Sequence, residues 1–118
     1  MSTPAEEMVL KAAVTVRAQQ LKAQGEGYGA ALNQIADEYY RQFVLGEDTP
    51  LGHVAQQKAE SIGDVDWNKV VSAGAAIIGV LGKIGAAIWH LIENKKKKIQ
   101  EIRTKITPWV SEAYGGTT

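Results

Sequence analysis

A chain of 118 residues with 45% apolar content and no cysteine is long enough for one hydrophobic core but short for a catalytic domain with regulatory additions. The missing cysteines exclude disulfides, cysteine-ligated metals and thiol chemistry. Thirteen basic residues balance thirteen acidic ones, but unevenly: residues 1–68 carry five Lys/Arg against ten Asp/Glu, a net of −5, and residues 69–118 carry eight against three, a net of +5. That layout suits antiparallel neutralisation inside one bundle, head-to-tail attraction between copies, or a basic end that touches an anionic surface. The opening MSTPAEEMVLKAA has no basic stretch leading into an apolar one, so it does not read as a secretory signal, and synthesis in the cytoplasm is expected.

Thr3, Pro4 and Glu6 form a helix start: Thr3 can cap, Pro4 has the preset first-turn dihedral, and Glu6 completes a capping box. The helix is predicted over about 4–24, with Leu10, Val14, Ala18 and Leu21 as its apolar stripe and Lys11, Arg17, Gln19, Gln20 and Lys22 largely off it. Gly25-Glu26-Gly27 breaks it. A second helix over about 28–45 aligns Tyr28, Leu32, Ile35, Tyr39 and Phe43, and Gly46 ends it. Its aromatic residues at helical spacing read as core, while the adjacent Asp37 and Glu38, which cannot face each other on a helix, read as solvated surface. Thr49-Pro50 opens a third helix over about 50–62. Its thin stripe of Leu51, Val54, Ala55 and Ile62 predicts packing at the edge of the fold, or order only within an assembly. His53 has no neighbouring ligand type and reads as structural or exposed.

Asp66 can cap a fourth, long helix predicted over about 66–107, with a bend near 93–95 or a projecting part, because about 63 Å of helix exceeds what three short helices can cover. Pro108 is its first breaker, and 108–118 reads as a tail in which Trp109, Val110 and Tyr114 are apolar enough to dock. The expected fold is therefore all-α, a single helical domain spanning 1–118: acidic amphipathic helices over 1–63, then a long apolar and then basic helix.

Within that helix, residues 70–92 are apolar or small apart from Ser72, Lys83 and His90. A run of this length is a borderline membrane span, since about 20 apolar residues suffice and one mid-span Lys costs on the order of 2.5–3.5 kcal/mol. Ser72, Ala75, Gly79, Gly82 and Ala86 fall on one face at steps of three and four, a small face that suits close packing against another helix, in the same chain, in a second copy or facing lipid. Lys83, the charge inside the run, must snorkel, meet a carboxylate, lose its proton or face a water-filled lumen.

Lys95, Lys96, Lys97 and Lys98, with Arg103 and Lys105, form a basic flank suited to anionic lipid. Nucleic acid is the weaker reading, because no aromatic residue is interleaved to stack bases. No glycine-rich phosphate loop, metal-ligand spacing or catalytic constellation occurs, so no catalytic residue, metal, cofactor or small-molecule substrate is assigned. The order acidic amphipathic part, small-residue apolar helix, basic end is similar in layout to the coat proteins of filamentous phages. That resemblance implies a helical protein stored in a membrane or packed around nucleic acid, and it carries no residue assignments. The expected function is non-enzymatic self-assembly through the small face of 70–92, as a structural subunit or a membrane-active, pore-forming-type component. The alternative is a soluble helical adaptor whose apolar helix is intrachain core.

Overall fold

The computed structural model describes residues 4–63, 65–78 and 88–115, with backbone alone at 4 and 88–94. Among these residues every regular element is a helix: α1 (Pro4–Ala23), α2 (Tyr28–Phe43), α3 (Pro50–Gly63), α4 (Trp67–Ile77) and α5 (Ile88–Ala113). The all-α expectation holds, with five helices where four were expected.

Local chemistry explains the boundaries. Gly25 at φ 94° and Gly46 at φ 76° adopt the left-handed conformation that closes α1 and follows α2, which glycine enters without a Cβ penalty. The Thr49 hydroxyl accepts the Gly52 N–H at 3.1 Å, and the Asp66 carboxylate accepts the Asn68 N–H at 2.9 Å, so the two predicted caps satisfy first-turn donors of α3 and α4.

α1 and α2 are the central pair, and each touches all the other helices. On α1 the buried positions are Glu6, Val9, Leu10, Ala13, Val14, Arg17, Ala18 and Leu21, two adjacent stripes rather than one. α2 contributes Leu32, Ile35, Ala36, Tyr39, Tyr40 and Phe43; α5 closes the core with Ile102, Ile106 and Val110. Burying each large aliphatic side chain stabilises by about 1.5–3 kcal/mol, which offsets the entropy of ordering these helices.

Three expectations need correction. α3 is no edge element: it packs chiefly on α1 and buries Leu51, Gly52, Val54, Ala55 and Ala59. Its face is made largely of small residues, which carry little hydrophobicity but let two helix backbones approach closely. Second, 66–107 is not one helix. α4 ends at Ile77, and the Lys98 ammonium donates to the Ile78 carbonyl at 3.2 Å, whereas twenty residues of straight helix would separate those positions by about 30 Å. Third, α5 passes through Pro108 to Ala113, so the predicted tail is helical over most of its length. The Pro108 ring faces solvent, and the buried Ile106 and Val110 on either side anchor the helix to the core across the missing hydrogen bond. Trp109 and Tyr114 pack against the same core, as their composition suggested.

Candidate assembly surface

The first third of the apolar run divides between the inside and the outside of the molecule. Val70, Ala73 and Gly74 of α4, and Ile78 after it, are buried. A Cβ built on Gly74 would lie 2.7 Å from the Phe43 ring, so the α4 backbone rests directly on that aromatic side chain. Beside it the Tyr39 hydroxyl donates to the Gly74 carbonyl at 2.8 Å, and burial pushes the Tyr39 hydroxyl well above its ordinary pKa. The close approach within the chain is therefore at Gly74, a position outside the predicted small face. Of that face, Ser72 is exposed and Ala75 half-buried, while Ala76, one turn beyond Ser72, is exposed. Gly79, Gly82, Lys83 and Ala86 lie outside the described residues.

At the C-terminal end of α4 an open groove of about 480 Å³ is lined by Ile77 and Ile78 on one side and by Glu101, Thr104 and Lys105 of α5 on the other. Its position follows from the Lys98 contact, which holds the end of α4 beside α5. The groove thus adjoins the exposed small residues of α4 and the outward face of α5.

The basic block is divided by its contacts. Lys95 sits over the Tyr40 ring at 5.8 Å, a cation–π contact, and Lys98 binds the carbonyl of Ile78, the residue that caps α4, and pairs with Glu101 at 3.5 Å. A cation at a helix C-terminus is favoured by the orphan carbonyls and the dipole, so Lys98 is engaged in structure. Lys96 and Lys97 are exposed. Arg103 is half-buried, and its buried Nε has no hydrogen-bond partner; Lys105 is exposed on the groove rim. Six cations within eleven residues of sequence, Lys95 to Lys105, are distributed over several directions by the helical periodicity of α5.

The sequence reading missed a polar seam between α1, α2 and α3. Arg17 and Glu38 are both buried and bonded twice, Nε to Oε1 and Nη2 to Oε2, each at 2.9 Å. Glu38 also accepts from the Gln34 side chain at 3.1 Å and from the Leu51 N–H at 3.1 Å, at the start of α3. The solvated-surface reading of Glu38, and the off-stripe reading of Arg17, are corrected: burial of the pair is tolerated because both charges are hydrogen-bonded to each other. Nearby, the Gln42 amide oxygen accepts from both the N–H and the hydroxyl of Thr49 at 2.9 Å. The available signal was the wide apolar face of α1, on which Arg17 lies between Val14 and Leu21 at helical spacing. His53 is exposed and borders a small polar crevice with Asp48, Gln56 and Trp67.

Among the described residues no group of three or more acidic or histidine side chains could hold a metal ion, and no helix is long and apolar enough to cross a membrane. In comparisons with family models, curated proteins and solved structures, nothing matches the chain.

Proposed function

We propose that the protein is a non-enzymatic helical module that associates with copies of itself through the region 70–92, as a structural subunit or as a component that becomes membrane-active on assembly. The observation that carries this reading is the exposure of Ser72 and Ala76 on α4, a helix whose C-terminal end, at Ile77 and Ile78, lines an open groove. Small exposed residues one turn apart allow a second helix to approach closely, and an apolar groove beside them supplies area to bury. Residues 79–92, almost wholly apolar in sequence, continue from the same end of α4. The helices α1, α2 and α3, with the second half of α5, act as the body that carries this region.

A second reading is favoured by Val70, Ala73, Gly74 and Ile78, all buried within the chain: a soluble helical adaptor that uses the start of the apolar run as core. One experiment separates the two. Sedimentation velocity of the purified protein, with and without anionic phosphatidylserine vesicles, should show concentration-dependent association or vesicle binding. A strictly monomeric species that ignores vesicles would leave the adaptor.

A further inference from the structure

The outward face of α5 carries Lys97, Glu101, Thr104, Lys105, Pro108 and Glu112, six exposed residues at steps of one, three and four that form one line along the helix. Read from N- to C-terminus the charges alternate: plus at 97, minus at 101, plus at 105, minus at 112. A line with that order is its own complement when reversed. If a second α5 is laid against it antiparallel, each plus meets a minus.

From this charge order we infer that two copies pair about a two-fold axis near Thr104, with Glu101 of each chain against Lys105 of the other and Lys97 against Glu112. The inference rests on the self-association reading and extends its contact from the groove onto α5, with a register. An isologous contact requires that if one residue meets another, the reverse contact also forms, and both pairs satisfy this. The midpoints of 101/105 and 97/112 differ by 1.5 residues, about 2 Å along a helix, well within the reach of lysine and glutamate side chains. The groove of Ile77 and Ile78 runs alongside Glu101, Thr104 and Lys105, so the paired charges border an apolar surface. Existing pairings do not block the contact: Glu112 meets Lys11 at 3.8 Å and Glu101 meets Lys98 at 3.5 Å, both surface pairs of the kind worth little on their own. A polyanion is a poor occupant for this line, because its two cations alternate with two anions. A second copy of the same helix is the partner whose charge order fits.

The test uses the full chain and reads dimer affinity by analytical ultracentrifugation in low salt. Glu101→Lys and Lys105→Glu, each alone, place like charges across the axis and should weaken dimerisation at least tenfold. The double variant Glu101→Lys with Lys105→Glu restores opposite charges in swapped positions and should return the affinity to within about threefold of the original. Circular dichroism melting of each variant confirms that the folded state is being compared. Because the chain has no cysteine, Thr104→Cys supplies an independent check. It should form a disulfide-linked dimer under mild oxidation, whereas Gln19→Cys, exposed on α1, should not. If the protein dimerises but the single variants leave affinity unchanged, if the double variant fails to recover it, or if Thr104→Cys does not cross-link, this register is overturned while self-association stands. A chain that stays monomeric at all concentrations overturns both.

Discussion

The Arg17 guanidinium and the Glu38 carboxylate meet in two parallel hydrogen bonds of 2.9 Å, with both side chains below one-tenth exposed. The pair joins α1 to α2, and because Glu38 also accepts the Leu51 N–H at 3.1 Å it sets where α3 begins. Removing one partner leaves a buried charge without compensation. Glu38→Gln and Arg17→Met should each destabilise by about 3–5 kcal/mol, and the joint Arg17→Met, Glu38→Leu variant by less than either single change. Urea denaturation of the three variants measures this; a joint loss equal to the sum of the two single losses would show that the two side chains act independently.

Gly74 is where the α4 backbone rests on Phe43 of α2. A methyl group there would press on the Phe43 ring at 2.7 Å, which must then move. Gly74→Ala should cost about 1–3 kcal/mol by overpacking, and Phe43→Leu in the same chain should recover part of it. Thermal melting of the single and double variants decides the point: a Gly74→Ala protein as stable as the parent would mean that α4 does not pack this closely.

Tyr39 provides an alkaline signature. Burial raises the pKa of its hydroxyl from the ordinary 10.0, so the fold favours the neutral phenol; this stability is fully present below pH 10 and declines as pH rises past it. In an alkaline titration followed by phenolate absorbance, one tyrosine should ionise together with unfolding rather than before it. Tyr39→Phe should remove that component and flatten the loss of stability above pH 10. At neutral pH it should cost about 1 kcal/mol, since the Gly74 carbonyl loses its donor.

Pro108 lies inside α5 with its ring in solvent and leaves the carbonyl four residues earlier, at Thr104, without its helical N–H. Pro108→Ala should therefore stabilise the protein, by up to about 3 kcal/mol, and increase its helical signal. Urea denaturation followed by circular dichroism reads both; a loss of stability would mean that the ring makes contacts the helix needs.

The four consecutive lysines should separate into two classes. Lys98→Gln should lower the melting temperature, because the C-cap carbonyl of α4, at Ile78, loses its cation, an effect of about 0.3–1 kcal/mol. Lys96→Gln with Lys97→Gln should leave melting unchanged and weaken any binding to anionic vesicles by about 1 kcal/mol for each lysine removed. Vesicle binding that follows Lys98 instead would reverse this assignment.

Local chemistry determined much of the secondary structure directly from sequence. Thr49-Pro50 and Asp66 start helices, Gly25 and Gly46 follow their ends, and Leu32, Ile35, Tyr39 and Phe43 share a buried face, because caps, left-handed glycines and the 3.6-residue period act within a few residues of one another. What the tertiary structure decided depends on groups far apart in the chain. Arg17 lies on the apolar face of α1, but the carboxylate that compensates its charge is on another helix, so the burial of the pair is decided only when α1 and α2 are side by side. The small residues of α3 gain their value from proximity to α1, which hydropathy along one helix does not measure. Pro108, a breaker by local rules, is held in helix by Ile106 and Val110 locked into a core built mainly by other helices. The division of the long apolar and basic segment into α4 and α5 likewise involves a contact across twenty residues of chain, Lys98 to Ile78. Periodicity within a helix is short-range and can be read in order; the pairing of distant polar groups and the direction in which a chain turns back are decided by packing that no single segment contains.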